Sequence, residues 1–289
     1  MILTIFVAFC LVALLFIALI MPGASSVEDR APFWGMYFAH RGLHTKDKAV
    51  PENSLAAFTA AVDAGYGIEL DIRLAADGEV VVFHDDTLLR MCGAPGRVAD
   101  LTLAQLRELK LLDTDQGIPT LWETLYVVKG KVPLLVELKS GPQHKRLCEE
   151  AWKILRTYEG DVCIQSFDPR MVRWYKKHVP GLLRGQLAAR PKELRASAGL
   201  AAYPVGWGLT HFLGRPHFIA HRKGPVSPIM RLARRLAMRM VWTAHPDDST
   251  FMLEEENEAI IFEYYEPEPR FVDPPGVPNS WPEDETYRF

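Results

Sequence analysis

The chain has 289 residues, and at about 150 residues per domain this leaves room for two ordinary units or one large barrel. Hydrophobic residues make up 48% and charged residues 24%, a balance that excludes a disordered chain. The net charge of −3 excludes the strong basic field of a nucleic-acid binder, so no nucleic-acid partner is expected. Cys10, Cys92, Cys148 and Cys163 lack the spacing of a disulfide scaffold or a zinc site.

From Ile2 to Met21 no residue is charged and only Thr4 is polar. About 20 apolar residues suffice to cross a bilayer, whereas a signal-peptide core is shorter. No Lys or Arg precedes the run, and Pro22-Gly23-Ala24-Ser25-Ser26 is a loose match to a cleavage site. These features predict a single-pass transmembrane anchor over residues 1–24, followed by a linker over 25–35. Arg30, Arg41, Lys46 and Lys48 all follow the span, a bias that predicts a membrane protein whose folded domain faces the cytoplasm.

Strand-like and helix-like segments then alternate as far as residue 265. Met36 to Ala39 reads as a strand ending at His40, and Asn53-Ser54 caps a helix carrying Leu55, Phe58 and Val62. Ile68 to Leu74 alternates as a strand, and Asp77-Gly78 turns it back into Val80 to Phe83. Leu101 to Leu111 reads as helical, as does the stretch after Pro119. Val132 to Leu138 is strand-like and Gln143 to Tyr158 an amphipathic helix. Val162 to Ile164 is a strand, Pro169 to His178 a helix, and Leu182-Leu183 leads towards Gln186. His217 to Ala220, Met240 to Trp242 and Ala259 to Phe262 are strands, with a helix over Arg231 to Met238. About eight βα units predict an α/β fold closed as a (β/α)₈ TIM barrel over residues 36–265. Beyond it, residues 266–289 are rich in proline and aromatic residues and read as a strap packed on the barrel.

Reactive residues fall at strand ends. His40-Arg41 closes the first strand, Glu69 and Asp71 share one face of the second, His84-Asp85 ends the hairpin arm, and Glu137 and Lys139 end the next strand. In a (β/α)₈ barrel these carboxyl ends form one mouth. Three carboxylates meeting there require a cation between them, and oxygen ligands suit a hard divalent ion, Mg²⁺ or Ca²⁺. That ion with Arg41 and Lys139 makes a phosphate site, and His40 and His84 supply a general acid and a general base. Trp242 stacks on substrate or packs in the barrel. His221 and His245 also fall near strand ends. Arg231, Arg234, Arg235 and Arg239 recur at helical spacing as a basic stripe, and Glu254 to Glu256 reads as a solvated turn.

His40-Arg41-Gly42, Pro51-Glu52-Asn53-Ser54, Glu69-Leu70-Asp71, Asp77-Gly78, His84-Asp85 and Glu137-Leu138-Lys139 together resemble the glycerophosphodiester phosphodiesterase family, with Gln165-Ser166-Phe167 and Trp242-Thr243 extending the match. The resemblance implies a TIM barrel with a small insertion after the second strand, here about Asp86 to Ile118. It implies divalent-metal-dependent hydrolysis of glycerophosphodiesters to sn-glycerol 3-phosphate and an alcohol. By position, Glu69, Asp71 and Glu137 become metal ligands, His40 and His84 the acid–base pair, and Arg41 and Lys139 phosphate contacts. Two places depart from the family pattern. Thr243-Ala244-His245 stands where Thr-Val-Asn is usual, and Glu263-Tyr264-Tyr265-Glu266-Pro267 where the last strand usually ends in Thr-Asp-x-Pro. Phospholipase D-like hydrolysis of lysophospholipids and non-catalytic binding of a phosphate ligand remain alternative readings.

Overall fold

The computed structural model describes residues 1–268, apart from the side chain of Ser197. Among the described residues nine strands form one sheet: β1 (Tyr37–Ala39), β2 (Gly67–Leu74), β3 (Val80–Val82), β4 (Leu134–Leu138), β5 (Val162–Ser166), β6 (Arg184–Ala188), β7 (Phe218–Arg222), β8 (Met238–Ala244) and β9 (Ala259–Phe262). All neighbours pair in parallel except β3, which returns antiparallel on β2. β1 pairs with both β2 and β9, through Ala39↔Ile68 and Ala39↔Phe262, and this closes an eight-stranded barrel. The expected (β/α)₈ TIM barrel is therefore present.

Strand alternation divides the core into two layers. Ile68, Leu70 and Ile72 of β2 and Leu134, Val136 and Leu138 of β4 pack outwards on Phe58, Leu121, Leu125 and Leu147 of the surrounding helices. The opposite set, Phe38, Leu135, Cys163, Phe218, Met240 and Ile261, fills the barrel interior with Phe33. Two residues further along β4 and β5, the inward positions become Glu137 and Gln165, paired across the strands. Interior chemistry thus changes from apolar to polar towards the carboxyl ends.

Local signals set the helix starts. Ser54 accepts from the backbone N–H of Ala57 at the start of helix Leu55–Asp63. Thr120 and Glu123 form a capping box at helix Leu121–Val128. Two predicted helices change. Over Leu101 to Leu111 only Leu103–Leu106 is helical, because the insertion folds Leu106 and Leu111 onto a small core with Phe83, Leu88, Val98 and Ile118. The segment expected from Arg231 begins earlier, at Pro228 behind the Ser227 cap, and ends at Arg234, since Met238 already enters β8. Short helices at Pro191–Ala198, Ala202–Gly206 and His211–Gly214 join β6 to β7, where no helix was expected.

The expected basic stripe is broken. Arg234 donates to Asn257 and Arg239 pairs with Glu258, leaving Arg231 and Arg235 exposed. Glu254 to Glu256 belongs to helix Thr250–Glu256 rather than a turn.

Ile2–Ile20 is one helix, mostly exposed, whose last residue is buried against Ala188, Ile219, Met230 and Ala233. Arg215 donates to the carbonyls of Ala18 and Met21 at 2.9 and 2.8 Å, satisfying acceptors that every helix leaves free at its carboxyl end. The following segment is structured as well: helix Val27–Arg30 leads into a turn that buries Phe33. Most of the strap predicted over 266–289 lies outside the described residues. At its start the Tyr66 hydroxyl donates to the carbonyl of Pro267 at 3.0 Å.

Candidate active site

Glu69 and Asp71 project from β2 and Glu137 from β4, and all three are almost fully buried. One oxygen of each lies within 4.8 Å of the others. Mutual repulsion and burial have a legible consequence. Burial, with Asp71 and Glu137 beside it, pushes Glu69 well above the usual carboxylate range. Glu137 rises too, through burial and the nearby Asp71, against the opposing pull of Lys139. Burial also works against ionisation of Asp71, but Lys139, His84 and Arg41 outweigh it and hold the group well down. A cluster with this donor set is one carboxylate charge too rich for its own cations, and an added hard cation would relieve it.

The cations are held in place by backbone as well as side chain. Lys139 Nζ lies 3.1 Å from Asp71 and 2.7 Å from Glu137. Arg41 takes left-handed backbone, its N–H donates to Glu69 at 3.1 Å, and its guanidinium contacts Glu52 at 2.8 Å and Asp71 at 3.4 Å. Asn53, also left-handed, donates its amide to Asp71 at 2.9 Å and accepts from the Asp71 backbone. Gln165 donates to Glu69 at 3.4 Å, and its own oxygen is buried with no partner among the described residues.

Each histidine has a carboxylate on Nδ1. His84 meets Asp85 at 2.7 Å, and Asp85 is in turn gripped by Arg90, which also reaches Glu52. His40 meets Glu263 at 2.9 Å, and burial with the neighbouring Arg41 charge pulls the imidazole down to about 4, Glu263 acting against that shift. His40 therefore lies neutral beside the acidic cluster. A cleft of about 210 Å³ opens beside Lys139, bounded by Arg73, Asp86, Arg97 and Leu147. A second, of about 260 Å³, lies beside His44, Glu52, Arg90 and Tyr264.

All eight site residues expected from sequence can now be placed. His40, Arg41, Glu69, Asp71, His84, Glu137 and Lys139 come together. Trp242 lies apart from them in its contacts: its indole N–H donates to the carbonyl of Ala220 at 3.0 Å and its ring packs edge-on to Phe167. His245 joins the site through Glu263 at 2.8 Å. His221 is buried with its Nδ1 2.6 Å from the carbonyl of Arg222 and does not. Asp85, Arg90, Gln165 and Glu263 carried no role in the sequence reading. Glu52 was visible only as part of a motif, and Asn53 as part of that motif and of a helix cap.

Residues 40–266 match the model of the glycerophosphoryl diester phosphodiesterase family. A glycerophosphodiester phosphodiesterase of Caldanaerobacter subterraneus is 38% identical over 163 residues, which cover 53% of this chain and 66% of that protein. The human glycerophosphodiester phosphodiesterase 1 is 40% identical over 96 residues, covering 30% of this chain and 28% of that one. The matched stretches thus span less than two thirds of these curated relatives. Among solved structures, an Oleispira antarctica phosphodiesterase in complex with sn-glycerol-3-phosphate superposes with a TM-score of 0.66 at 22% identity, over 80% of this chain and 94% of that one. At that identity the likeness speaks for the fold. With the family model matching from His40 at the end of β1 to Glu266 beyond β9, the chain belongs to the glycerophosphoryl diester phosphodiesterase family.

Proposed function

We propose that this chain hydrolyses glycerophosphodiesters to sn-glycerol 3-phosphate and an alcohol, using a divalent cation, Mg²⁺ or Ca²⁺. The observation that carries the reading is the buried trio Glu69, Asp71 and Glu137, flanked by two carboxylate-bound histidines and two cations. The trio would hold the ion, which when bound supplies positive charge against the phosphate oxygens. Arg41 and Lys139 face the same charge and orient the diester. His40 and His84 exchange protons with the attacking oxygen and the leaving alkoxide. Trp242, at the carboxyl end of β8, is proposed to bound the substrate pocket. The domain layout we propose is an anchor over 1–24, a short connector over 25–35, the catalytic barrel over 36–265 and a strap over 266–289.

The full-length chain in detergent, incubated with glycerophosphocholine, glycerophosphoethanolamine and lysophosphatidylcholine, tests this reading. Turnover with Mg²⁺ or Ca²⁺, sn-glycerol 3-phosphate among the products, and loss on adding EDTA are expected. Replacement of His40 or His84 by Ala should cost at least about 10²-fold in kcat. Full activity of both variants on every diester would sink the acid–base assignment, and release of lysophosphatidic acid alone from lysophosphatidylcholine would favour the phospholipase D-like alternative. The exposed apolar helix favours that alternative only in bringing the mouth to lipid.

For the helix itself we propose a retained membrane anchor with the barrel on the cytoplasmic side. The buried Ile20 and the Arg215 contacts to its carboxyl end support retention, because a removed signal needs no docking site. A protease-sensitive tag after Phe289 that is removed from intact cells by external protease would reverse the orientation.

A further inference from the structure

Glu263 follows β9, and it stands 223 residues from His40 along the chain, yet its Oε2 lies 2.9 Å from His40 Nδ1. Its other oxygen lies 2.8 Å from His245 Nε2, and His44 Nε2 stands 3.6 Å from Oε2. Among the described residues no Lys or Arg lies within ion-pair distance of this carboxylate. Three imidazoles surround one buried-edge anion. Asp85, the partner of His84, differs in being gripped on both oxygens by Arg90. One site thus holds two His–carboxylate pairs of different character.

We propose that Glu263 is a positioning residue for His40, with His245 fixing the carboxylate from its other side. The inference rests on the acid–base role proposed above for His40. A carboxylate accepts only, so Oε2 requires a proton on His40 Nδ1 and selects that tautomer. Nε2 is then the ring nitrogen left to exchange a proton with substrate. Rotation of the Glu263 side chain would undo this, and the bond from His245 Nε2 to Oε1 opposes that rotation. His245 is itself held from outside: its backbone N–H donates to Asp248 at 2.7 Å, and Asp248 is paired with Lys223 at 2.6 Å. The chain Lys223–Asp248–His245–Glu263–His40 therefore runs from the exposed rim into the site. It joins the carboxyl ends of β7, β8, β9 and β1, so that barrel closure and imidazole orientation depend on each other.

The test uses full-length protein, glycerophosphocholine and saturating divalent cation, with kcat and KM measured separately. Glu263→Ala is expected to lower kcat by about 10–100-fold, a fraction of a general acid–base contribution, with KM within about twofold. His245→Ala is expected to lose roughly 3–10-fold in kcat, and Glu263→Gln, which keeps an acceptor for one imidazole, to recover part of the Glu263→Ala loss. Added to His40→Ala, Glu263→Ala should change kcat by no more than about twofold, because its effect runs through the missing ring. Imidazole ¹⁵N shifts give a readout independent of turnover: His40 should carry its proton on Nδ1 in the native protein and lose that preference in Glu263→Ala. A persistent Nδ1–H tautomer in Glu263→Ala, an unaltered kcat, or an undiminished loss in the His40→Ala background would overturn the positioning role. Full activity of His40→Ala would instead remove the acid–base reading beneath it, so the two failures are separable.

Discussion

Arg41 and Asn53 carry left-handed backbone, with φ of 57° and 54°, and each is a non-glycine residue in a conformation that side chains rarely adopt. The strain is held by what the side chains reach. Asn53 bonds both the carboxylate and the N–H of Asp71, so a near-isosteric change is informative. Asn53→Asp keeps the shape but sets a fourth carboxylate against Asp71 and removes a donor. It is expected to lower stability by about 1–3 kcal/mol, the cost of an unmet buried partner, read as a fall in the thermal midpoint. Arg41→Lys leaves Asp71 and Glu52 without the planar fork that now touches both. Hydrogen bonds to charged groups contribute about 1.5–3 kcal/mol, so kcat/KM on glycerophosphocholine should fall by roughly 10–100-fold. An unchanged value would mean that the positive charge alone suffices.

The turn leaving β1 is the element on which the site depends most. Gly42 has a φ of 80°, and a Cβ built there would lie 2.8 Å from the Ala57 side chain and 2.9 Å from that of Phe58. The contact seats helix Leu55–Asp63 directly behind His40 and Arg41. Gly42→Ala therefore meets both a disfavoured backbone region and two packed neighbours. A loss of about 1–3 kcal/mol in denaturant unfolding is expected, with turnover of glycerophosphocholine falling as His40 and Arg41 shift. Stability equal to the parent would show that the helix yields freely, and that the turn does not register the site. The insertion behaves in the opposite way. It brings Arg90 to Asp85 and Glu52, but its own small core makes it a separate packing unit on the hairpin.

Away from the carboxylate trio, buried histidines weaken the fold in acid. Burial pulls His211, His217 and His221 from 6.5 down to about 4. The unfolded chain, with ordinary imidazoles, binds more protons than the folded one between those values. Stability is therefore complete above about pH 6.5 and declines as pH falls towards 4. The thermal midpoint should drop progressively from pH 7.5 to pH 5, and less steeply in His211→Gln, which removes one of these sites from the helix–barrel contact. A midpoint flat over that range would show that these imidazoles take up protons without cost. His211 also lies 3.1 Å from the carbonyl of Ile20, a contact that favours the protonated ring and partly offsets the effect of burial.

The sequence by itself determined the features that depend on neighbours in the chain. Alternation along β2 set Glu69 and Asp71 on one face. Ser54 marked a helix start, and repeated βα units required a parallel barrel whose carboxyl ends gather polar residues. Each of these signals lies within a few residues of its effect. The helix expected over Leu101 to Leu111 shows where local pattern loses, because a compact insertion had to turn Leu106 and Leu111 onto one small core. Only the tertiary structure decided that Glu263 belongs to His40, that Arg90 braces Asp85, and that Arg215 caps the apolar helix. Those contacts join residues whose separation is set by ring closure and by the path of the insertion. Along the chain, a carboxylate after the last strand looks like any solvated loop residue; closing β9 onto β1 is what places it against the first histidine.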